Sequence, residues 1–471
     1  MAEDQLNPAT EPSAVTDTIA AVSTPPGRGG IGIVRLSGPL AASIAAQLVR
    51  LRQPLEHARA RLADVLDSPL AADQQSPVPA RIDEAVVTFF CAPNSYTVED
   101  LVEIAAHGSP VVLGLLLQRA LELGARLAEP GEFTQRAFLS GRLDLTQAEA
   151  VRDLIEAQTL TQARQAASQM GGALSHRVAP IKQSLVELIA LLEAGIDFAE
   201  DDIDVTPQEE IARRIANLAA PLAKLEASFS RGRIVHDGLT LAIVGRPNAG
   251  KSSLFNRLVE RDRAIVTATP GTTRDTVSER ISLDGIPLEL VDTAGLREAH
   301  EEVEQMGIVR SREALADAAL VLIVLDATQQ LNDEERTLLA NVQGRPALVA
   351  VNKSDLAAAA SPANALNGLS AVATSALTGE GIPALREQIL ALASGGAASE
   401  PGMLTNLRQH QAVITALSAL KDAAQANTNG IPHEMILLDL YRALWALDSL
   451  TGQTTSDDIL NLIFSTFCIG K

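Results

Sequence analysis

Cysteine is almost missing from this 471-residue chain, which holds only Cys91 and Cys468. Two cysteines so far apart exclude a disulfide framework and a paired-cysteine metal site, and a reducing, intracellular compartment is expected. Aromatic residues make up 3% of the chain, so its cores must be built from Leu, Ile, Val and Ala; the hydrophobic content of 46% supplies them. Positive charge is scarce as well, with 38 Lys and Arg against 58 Asp and Glu, a net charge of −20. That balance excludes a basic sleeve wrapped along nucleic acid, and any binding of RNA must use a local patch or a partner. Long hydrophobic runs are absent too. The uncharged stretch Ile104 to Gln118 is broken by His, Ser, Pro and Gly, so no membrane span is expected. The N-terminus lacks the basic-then-apolar pattern of an export signal. Residues 1–16 are polar, carry Pro8 and Pro12, and are expected to be disordered.

What is present divides the chain into several domains, as its length suggests. Thr18–Val22, Ile31–Leu36 and Arg81–Phe90 read as strands and Pro110–Leu123 as a helix, so residues 17–130 are expected to be a mixed α/β domain. From Phe133 to Phe229 the apolar spacing becomes helical, as in Ile211, Ile215, Leu218, Leu222 and Leu225. Asp197 to Asp204 form an acidic break within it. Leu241–Gly245, Val277–Leu283, Leu288–Asp292, Leu320–Asp326 and Ala347–Asn352 are apolar runs of strand length with helices between several of them. They predict a mostly parallel sheet covered on both faces. Ser394 to Gly402 is a linker by composition, and helical spacing returns after it. The expected fold class is multidomain, α/β plus all-α. A Ras-like P-loop domain at 239–395 is inserted into a helical domain of 131–238 plus 396–471; two separate helical domains are the alternative.

The strongest chemical signal is Gly245-Arg-Pro-Asn-Ala-Gly-Lys-Ser252, a G-x-x-x-x-G-K-S loop between a strand and a helix. Its backbone N–H groups and the helix N-terminus cradle phosphates. Lys251 reaches the β- and γ-phosphates and Ser252 gives its hydroxyl to Mg²⁺. Asn248, Ala249, Gly250 and Ser253 complete the loop. Asp292, Thr293, Ala294 and Gly295 end another strand and place a carboxylate near the metal. Asn352, Lys353, Ser354 and Asp355 resemble the N-K-x-D element of GTPases, whose carboxylate accepts from the guanine N1–H and 2-amino group. Adenine lacks that donor pair, so the motif selects GTP. Ser375, Ala376 and Leu377 resemble the short element that packs beside guanine. Thr272 and Thr273 lie where one threonine should close on Mg²⁺.

Ras-type enzymes place a water-orienting glutamine directly after Asp-x-x-Gly; here that position is Leu296, which cannot hydrogen-bond water. The nearby acids Glu298, Glu301, Glu302 and Glu304 are candidates for that role. Charge stabilisation can come from Arg274 or Arg297, or from a monovalent cation held by Asn248 and loop carbonyls.

Beyond these motifs the chain resembles the MnmE (TrmE) family of tRNA-modification GTPases. The resemblance is carried by residues 24–35 (TPPGRGGIGIVR), 130–138 (PGEFTQRAF), 143–150 (LDLTQAEA), 292–298 (DTAGLRE) and the terminal 467–471 (FCIGK). It implies an N-terminal tetrahydrofolate-binding and dimerisation domain, a helical domain and an inserted G domain. It also implies a homodimer that joins an MnmG-type FAD-dependent partner in a heterotetramer. Together they add an aminomethyl or carboxymethylaminomethyl group to carbon 5 of the tRNA wobble uridine, using a one-carbon unit from 5,10-methylene- or 5-formyl-tetrahydrofolate.

By position, the resemblance assigns K⁺ to Asn248, Thr267, Thr269 and Thr272, and Mg²⁺ to Ser252 and Thr273. The segment Thr267, Ala268, Thr269, Pro270, Gly271, Thr272 and Thr273 closes over GTP. Glu304 orients the hydrolytic water and acts with Lys251 in catalysis. Arg35, Glu103, Arg142 and Lys471 hold folate. Cys468 is either a reactive thiol or a buried structural cysteine, and His107 reads as a hydrogen-bonded structural histidine. An Era-like ribosome-assembly GTPase is the alternative function; it would require a basic RNA-binding module. A GTP-binding scaffold without turnover is a third reading.

Overall fold

The computed structural model describes residues 17–67, 80–197, 206–259, 278–292, 318–356, 366, 368–394, 401–453 and 457–470. The expected disorder of residues 1–16 and the acidic break from residue 198 lie outside them. The chain divides into two compact units, Met1–Arg152 with Thr451–Lys471, and Asp153–Leu450.

The first unit is built on a seven-stranded sheet: β1 (Ile19–Val22), β2 (Gly29–Ser37), β3 (Val49–Leu51), β4 (Ala60–Leu66), β5 (Arg81–Phe90), β6 (Leu101–Gly108) and β7 (Arg126–Leu127). Their order is β3-β4-β5-β6-β2-β1-β7, antiparallel except at the β1–β7 edge. Alternation along the strands sends Val34, Leu36, Val65, Val87, Val102 and Ile104 to one face. There α1 (Ala41–Leu48) and α2 (Pro110–Glu122) cover them with Ile44, Leu48, Leu113 and Leu116. The other face leaves the cross-strand pair Leu62 and Val86 more than 40% exposed. Helices α3 (Glu132–Leu139) and α4 (Leu145–Glu156) follow.

The chain's last residues return to this unit rather than joining the helices before them. Gly452 turns the chain at φ 89°, and a Cβ there would stand 2.7 Å from the Phe138 ring. Phe464 and Phe467 then pack with Leu145 and Ala148.

In the second unit, α5 (Leu160–Met170) precedes α6 (Ala173–Asp197), α7 (Gln208–Ala227) and α8 (Phe229–Asp237). A six-stranded sheet follows, made of β8 (Leu239–Val244), β9 (Ser278–Leu283), β10 (Ile286–Asp292), β11 (Leu320–Asp326), β12 (Ala347–Asn352) and β13 (Ser370–Ala373). The order is β13-β12-β11-β8-β10-β9, parallel except for the β9–β10 hairpin. Leu241, Ile243, Leu322 and Val324 face one core, with α9 (Lys251–Val259) and α11 (Ile382–Ser394). Ala242, Val244, Val321 and Ile323 face the opposite core, with α10 (Asp333–Asn341). This double burial is why the strands read as continuous apolar runs. Helices α12 (Leu407–Thr428) and α13 (His433–Thr451) pack into the same core as α6 and α7, so segments on both sides of the sheet share one interior. The last helix of the chain is α14 (Asp457–Ser465). Among the described residues no helix is long and apolar enough to cross a membrane.

Candidate functional site

The chain passes from β8 into α9 through a loop that only glycine can build at two points. Gly245 has φ 148°, and a Cβ there would lie 2.3 Å from the Val324 carbonyl oxygen on β11. Gly250 has φ 91°, and its Cβ would lie 2.1 Å from Asn352 Nδ2. Asn248 between them adopts φ 63°. Lys251 opens α9 and is buried; its ammonium donates to the carbonyls of Gly245 at 2.8 Å and Arg246 at 2.9 Å. The charge is thereby aimed across the loop's mouth. Ser252 and Ser253, in the first turn of α9, are exposed. Asp292 stands at the end of β10, in register with Ile243 of the neighbouring β8. These strand ends meet where connections leave β8 toward opposite edges of the sheet, the position where open α/β sheets take ligands.

Asn352 ends β12 and ties three loops together. Its Nδ2 donates to the Ala249 carbonyl at 2.9 Å, and its Oδ1 accepts from the Ala376 N–H at 3.0 Å. Lys353, at φ 63°, donates from Nζ to Asp326 Oδ2 at 2.7 Å. Asp326 also accepts from the Thr328 hydroxyl at 2.6 Å and its N–H at 2.9 Å. Burial pushes the Asp326 carboxyl up, but the Lys353 and Thr328 hydrogen bonds outweigh it and hold it below the usual carboxylate range. Ser354 N–H donates to the Thr374 carbonyl, while Asp355 is exposed and available to a ligand. Ser375 is buried, its Oγ accepting from Thr378 N–H at 3.1 Å, and Leu377 is exposed. Two residues of this region carried no sequence signal: Asp326, which ends its apolar strand as Asn352 ends the next, and Arg257, which donates to the carbonyls of Ala376 and Leu377.

Thr267, Ala268, Thr269, Pro270, Gly271, Thr272, Thr273, Thr293, Ala294, Gly295, Leu296 and Lys471 lie outside the described residues. So do the acids Glu298, Glu301, Glu302 and Glu304 and the cations Arg274 and Arg297.

In the first unit, Arg35 on β2 and Glu103 on β6 are direct cross-strand partners. Arg35 donates to Glu103 Oε1 through Nε at 3.0 Å and Nη2 at 2.6 Å. The guanidinium of Arg142 sits 5.2 Å from the Tyr96 ring centre and donates to the Ser95 carbonyl. Glu103, Arg142 and Tyr96 line a cavity of about 570 Å³ together with Phe90 and Asn94. Burial raises the Tyr96 phenol above its usual value, so it stays neutral. A wall of this kind, an aromatic ring near two guanidinium groups with a carboxylate paired to one of them, fits a flat heteroaromatic ring with N–H donors.

The C-terminal tail closes on this region. The Gly470 carbonyl accepts from Arg35 Nη1 at 3.4 Å, and the Cys468 carbonyl from Gly131 N–H at 3.3 Å. Cys468 itself is exposed, which removes the reading of it as a buried packing residue. His107 is exposed, its Nδ1 2.6 Å from Asp83 Oδ1, a hydrogen-bonded surface histidine.

Two family models match the chain: "GTP-binding protein TrmE N-terminus" over residues 18–142 and "MnmE helical domain" over residues 145–468. A tRNA modification GTPase MnmE from Koribacter versatilis is 58% identical over 460 residues, covering 97% of this chain and 99% of that protein. The protein of the same name from Symbiobacterium thermophilum is 43% identical over 461 residues, with the same coverage.

The chain belongs to the MnmE family of tRNA modification GTPases.

Membership accounts for both halves of the geometry. The phosphate and base loops are those of a GTPase, and the TrmE-type N-terminal domain carries the Arg35–Glu103–Arg142 wall. The Era-like alternative is not favoured, because the MnmE match runs over nearly the whole chain and includes the N-terminal and helical domains.

Proposed function

We propose that this chain hydrolyses GTP with Mg²⁺ and K⁺ as part of a tRNA-modifying complex. The complex adds an aminomethyl or carboxymethylaminomethyl group to carbon 5 of the wobble uridine. The chain acts in the cytoplasm as a homodimer with an MnmG-type FAD-dependent partner, and the one-carbon unit comes from 5,10-methylene- or 5-formyl-tetrahydrofolate. The observation that carries the GTP reading is the Asn352 bridge, which locks the guanine-reading loop to the phosphate loop at 2.9 Å.

In this reading Lys251 draws charge from the β- and γ-phosphates as the terminal bond breaks. Its carbonyl partners Gly245 and Arg246 keep the ammonium in place before substrate arrives. Ser252 and Thr273 would hold Mg²⁺, and Asn248, Thr267, Thr269 and Thr272 would hold K⁺. Bound there, the two cations offset negative charge on the phosphates. Glu304 orients the attacking water, the task Leu296 cannot perform. Asp292 would stand beside the metal, the segment 267–273 would close over the nucleotide, and Thr293, Ala294 and Gly295 would approach the γ-phosphate. Asp355 reads the guanine edge, with Ser354, Ser375, Ala376 and Leu377 around the base.

Arg35, Glu103, Arg142 and Lys471 hold folate in the N-terminal domain. Dimerisation through that domain is supported by the exposed Leu62–Val86 pair. Cys468, exposed near the same wall, is available as a thiol.

The test is the wobble nucleoside itself. In cells lacking their own family member, the native chain should restore the modified uridine, read by mass spectrometry of tRNA digests, and Lys251→Ala should not. Restoration by both would remove GTP hydrolysis from the reaction; restoration by neither, with both proteins folded, would remove the tRNA assignment.

A further inference from the structure

The two strands that carry the nucleotide site start at one polar joint, on the far side of the sheet from the phosphates. Strand β8 leads from this joint to Gly245, and β10 leads from it to Asp292. Six residues of strand span roughly 20 Å. A displacement at the base of either strand is therefore carried to the loop at its tip as a rigid shift.

The joint is made by the segment from Asp153, α5 and α8. His236, one residue from the end of α8, has Nε2 3.0 Å from Asp153 Oδ1 and Nδ1 2.7 Å from Asp237 Oδ1. Asp153 lies near the end of α4, and its side chain is nearly buried. The carbonyl of the same His236 accepts from Gln162 Nε2 at 2.7 Å. Gln162 also caps α5, its Oε1 accepting from the N–H groups of Thr159 and Gln158. The Thr159 hydroxyl accepts from Gln162 N–H and donates to the carbonyl of Gly285, in the turn between β9 and β10, at 2.7 Å. Gly285 lies so close to α5 that a Cβ there would stand 2.0 Å from Thr161 Oγ1. Just after His236, Gly238 takes φ 81° and passes so near Pro287 that a Cβ would meet its carbonyl at 2.7 Å. The starts of β8 and β10 are thus fixed against each other and against α5.

This joint is not filled like the cores on either side. A cavity of about 260 Å³ remains in it, lined by Asp153, Glu156, Gln165 and Glu289 among others. Gln165 is buried, and its Nε2 has no partner among the described residues. A contact held by a few directed polar bonds around a cavity has discrete alternative arrangements, the kind of element through which coupling between sites is carried.

We propose that Asp153 and His236 are a positioning pair for GTP hydrolysis: their ion pair clamps the segment from Asp153 into α5 to the base of β8 and β10 and so sets the Lys251 loop and Asp292 in the arrangement that hydrolyses GTP. The same pair is the link through which the helical segments and the nucleotide site sense each other. The inference rests on the GTP site proposed above.

The experiment is steady-state GTP hydrolysis by the full chain, with binding of a fluorescent GTP analogue and thermal unfolding measured in parallel. The samples are native protein, Asp153→Asn, Asp153→Glu, His236→Gln and, as the control for the site, Lys251→Ala. Couplings carried through packed networks change rates by about two- to thirty-fold. Asp153→Asn and His236→Gln are expected to lower kcat by that amount while KM and analogue affinity stay within about twofold, and Asp153→Glu is expected to restore most of the rate. Native kcat in Asp153→Asn and His236→Gln would overturn the proposal. So would a fall in analogue affinity that parallels a loss of thermal stability, because the pair would then only hold the fold together. A Lys251→Ala variant with native turnover would instead overturn the GTP site and leave the joint's geometry untouched.

Discussion

Asn352 Nδ2 lies 2.9 Å from the carbonyl oxygen of Ala249 and 2.1 Å from where a Cβ on Gly250 would stand. The base-reading loop and the phosphate loop are therefore packed to contact, and the tie depends on the absence of a side chain at residue 250. Gly250→Ala should push Asn352 away, break its bond to Ala249 and strain the backbone at φ 91°. GTP affinity is expected to fall by roughly tenfold or more, the worth of one lost buried hydrogen bond plus strain. Calorimetric titration with a nonhydrolysable GTP analogue measures it, and undiminished affinity would show that the tie is dispensable.

Asn248 adopts φ 63° at the mouth of the loop, where a side-chain carbonyl can face the phosphates. If it holds the monovalent cation, GTP hydrolysis in potassium buffer exceeds that in matched sodium buffer, and Asn248→Ala removes the difference. Equal rates in both salts would shift charge stabilisation to Arg274 or Arg297.

His236 offers a pH dependence with a definite sign. Its hydrogen bonds to Asp153 and then Asp237 push its pKa from 6.5 up to about 10. A group whose pKa rises on folding stabilises fully below its unfolded value and loses that effect as pH climbs through the folded one. The melting temperature of native protein should therefore exceed that of His236→Gln most at pH 6. The gap should narrow steadily between about pH 6.5 and pH 10. A gap that widens with pH would contradict the charged, doubly paired imidazole.

In the N-terminal domain, Glu103 and Arg142 border one cavity together with Tyr96. Glu103→Gln and Arg142→Ala should each weaken 5-formyl-tetrahydrofolate binding by roughly tenfold, as expected for loss of one charge-assisted hydrogen bond. Titration calorimetry is the measurement, and native affinity in both variants would move the folate site elsewhere.

Much of the G domain was readable in the sequence because its chemistry leaves little freedom. Phosphate cradling demands glycines at positive φ and a lysine opening a helix, and strands buried on both faces read as unbroken apolar runs. The pairing of Lys353 with Asp326 was not readable, since it requires knowing that β11 and β12 are neighbours with Asp326 beside Asn352. The short edge strand β3 and its neighbour β4 left no clear alternation, because Arg50, Arg61 and the buried Asp64 interrupt it with ion pairs. The wall of Arg35, Glu103 and Arg142 came only through family resemblance. Taken singly, each residue is an ordinary surface charge, and the sheet register brings the first two together. Asp153 and His236 are 83 residues apart, and no local pattern marks them as partners.

The most direct test of the central claim, that this chain reads and hydrolyses GTP through the loops tied by Asn352, is a change of nucleotide at Asp355. Turnover of GTP, ATP and xanthosine triphosphate should be measured side by side for native protein and Asp355→Asn. A carboxylate accepts from the guanine N1–H and 2-amino group, whereas an amide can donate to the carbonyl that replaces that amino group in xanthine. The account predicts that native protein hydrolyses GTP and neither of the others. It predicts that Asp355→Asn loses GTP turnover by roughly a hundredfold or more at low substrate and gains turnover of xanthosine triphosphate. Native hydrolysis of ATP at the GTP rate, or an Asp355→Asn variant with unchanged preference for GTP, would contradict it.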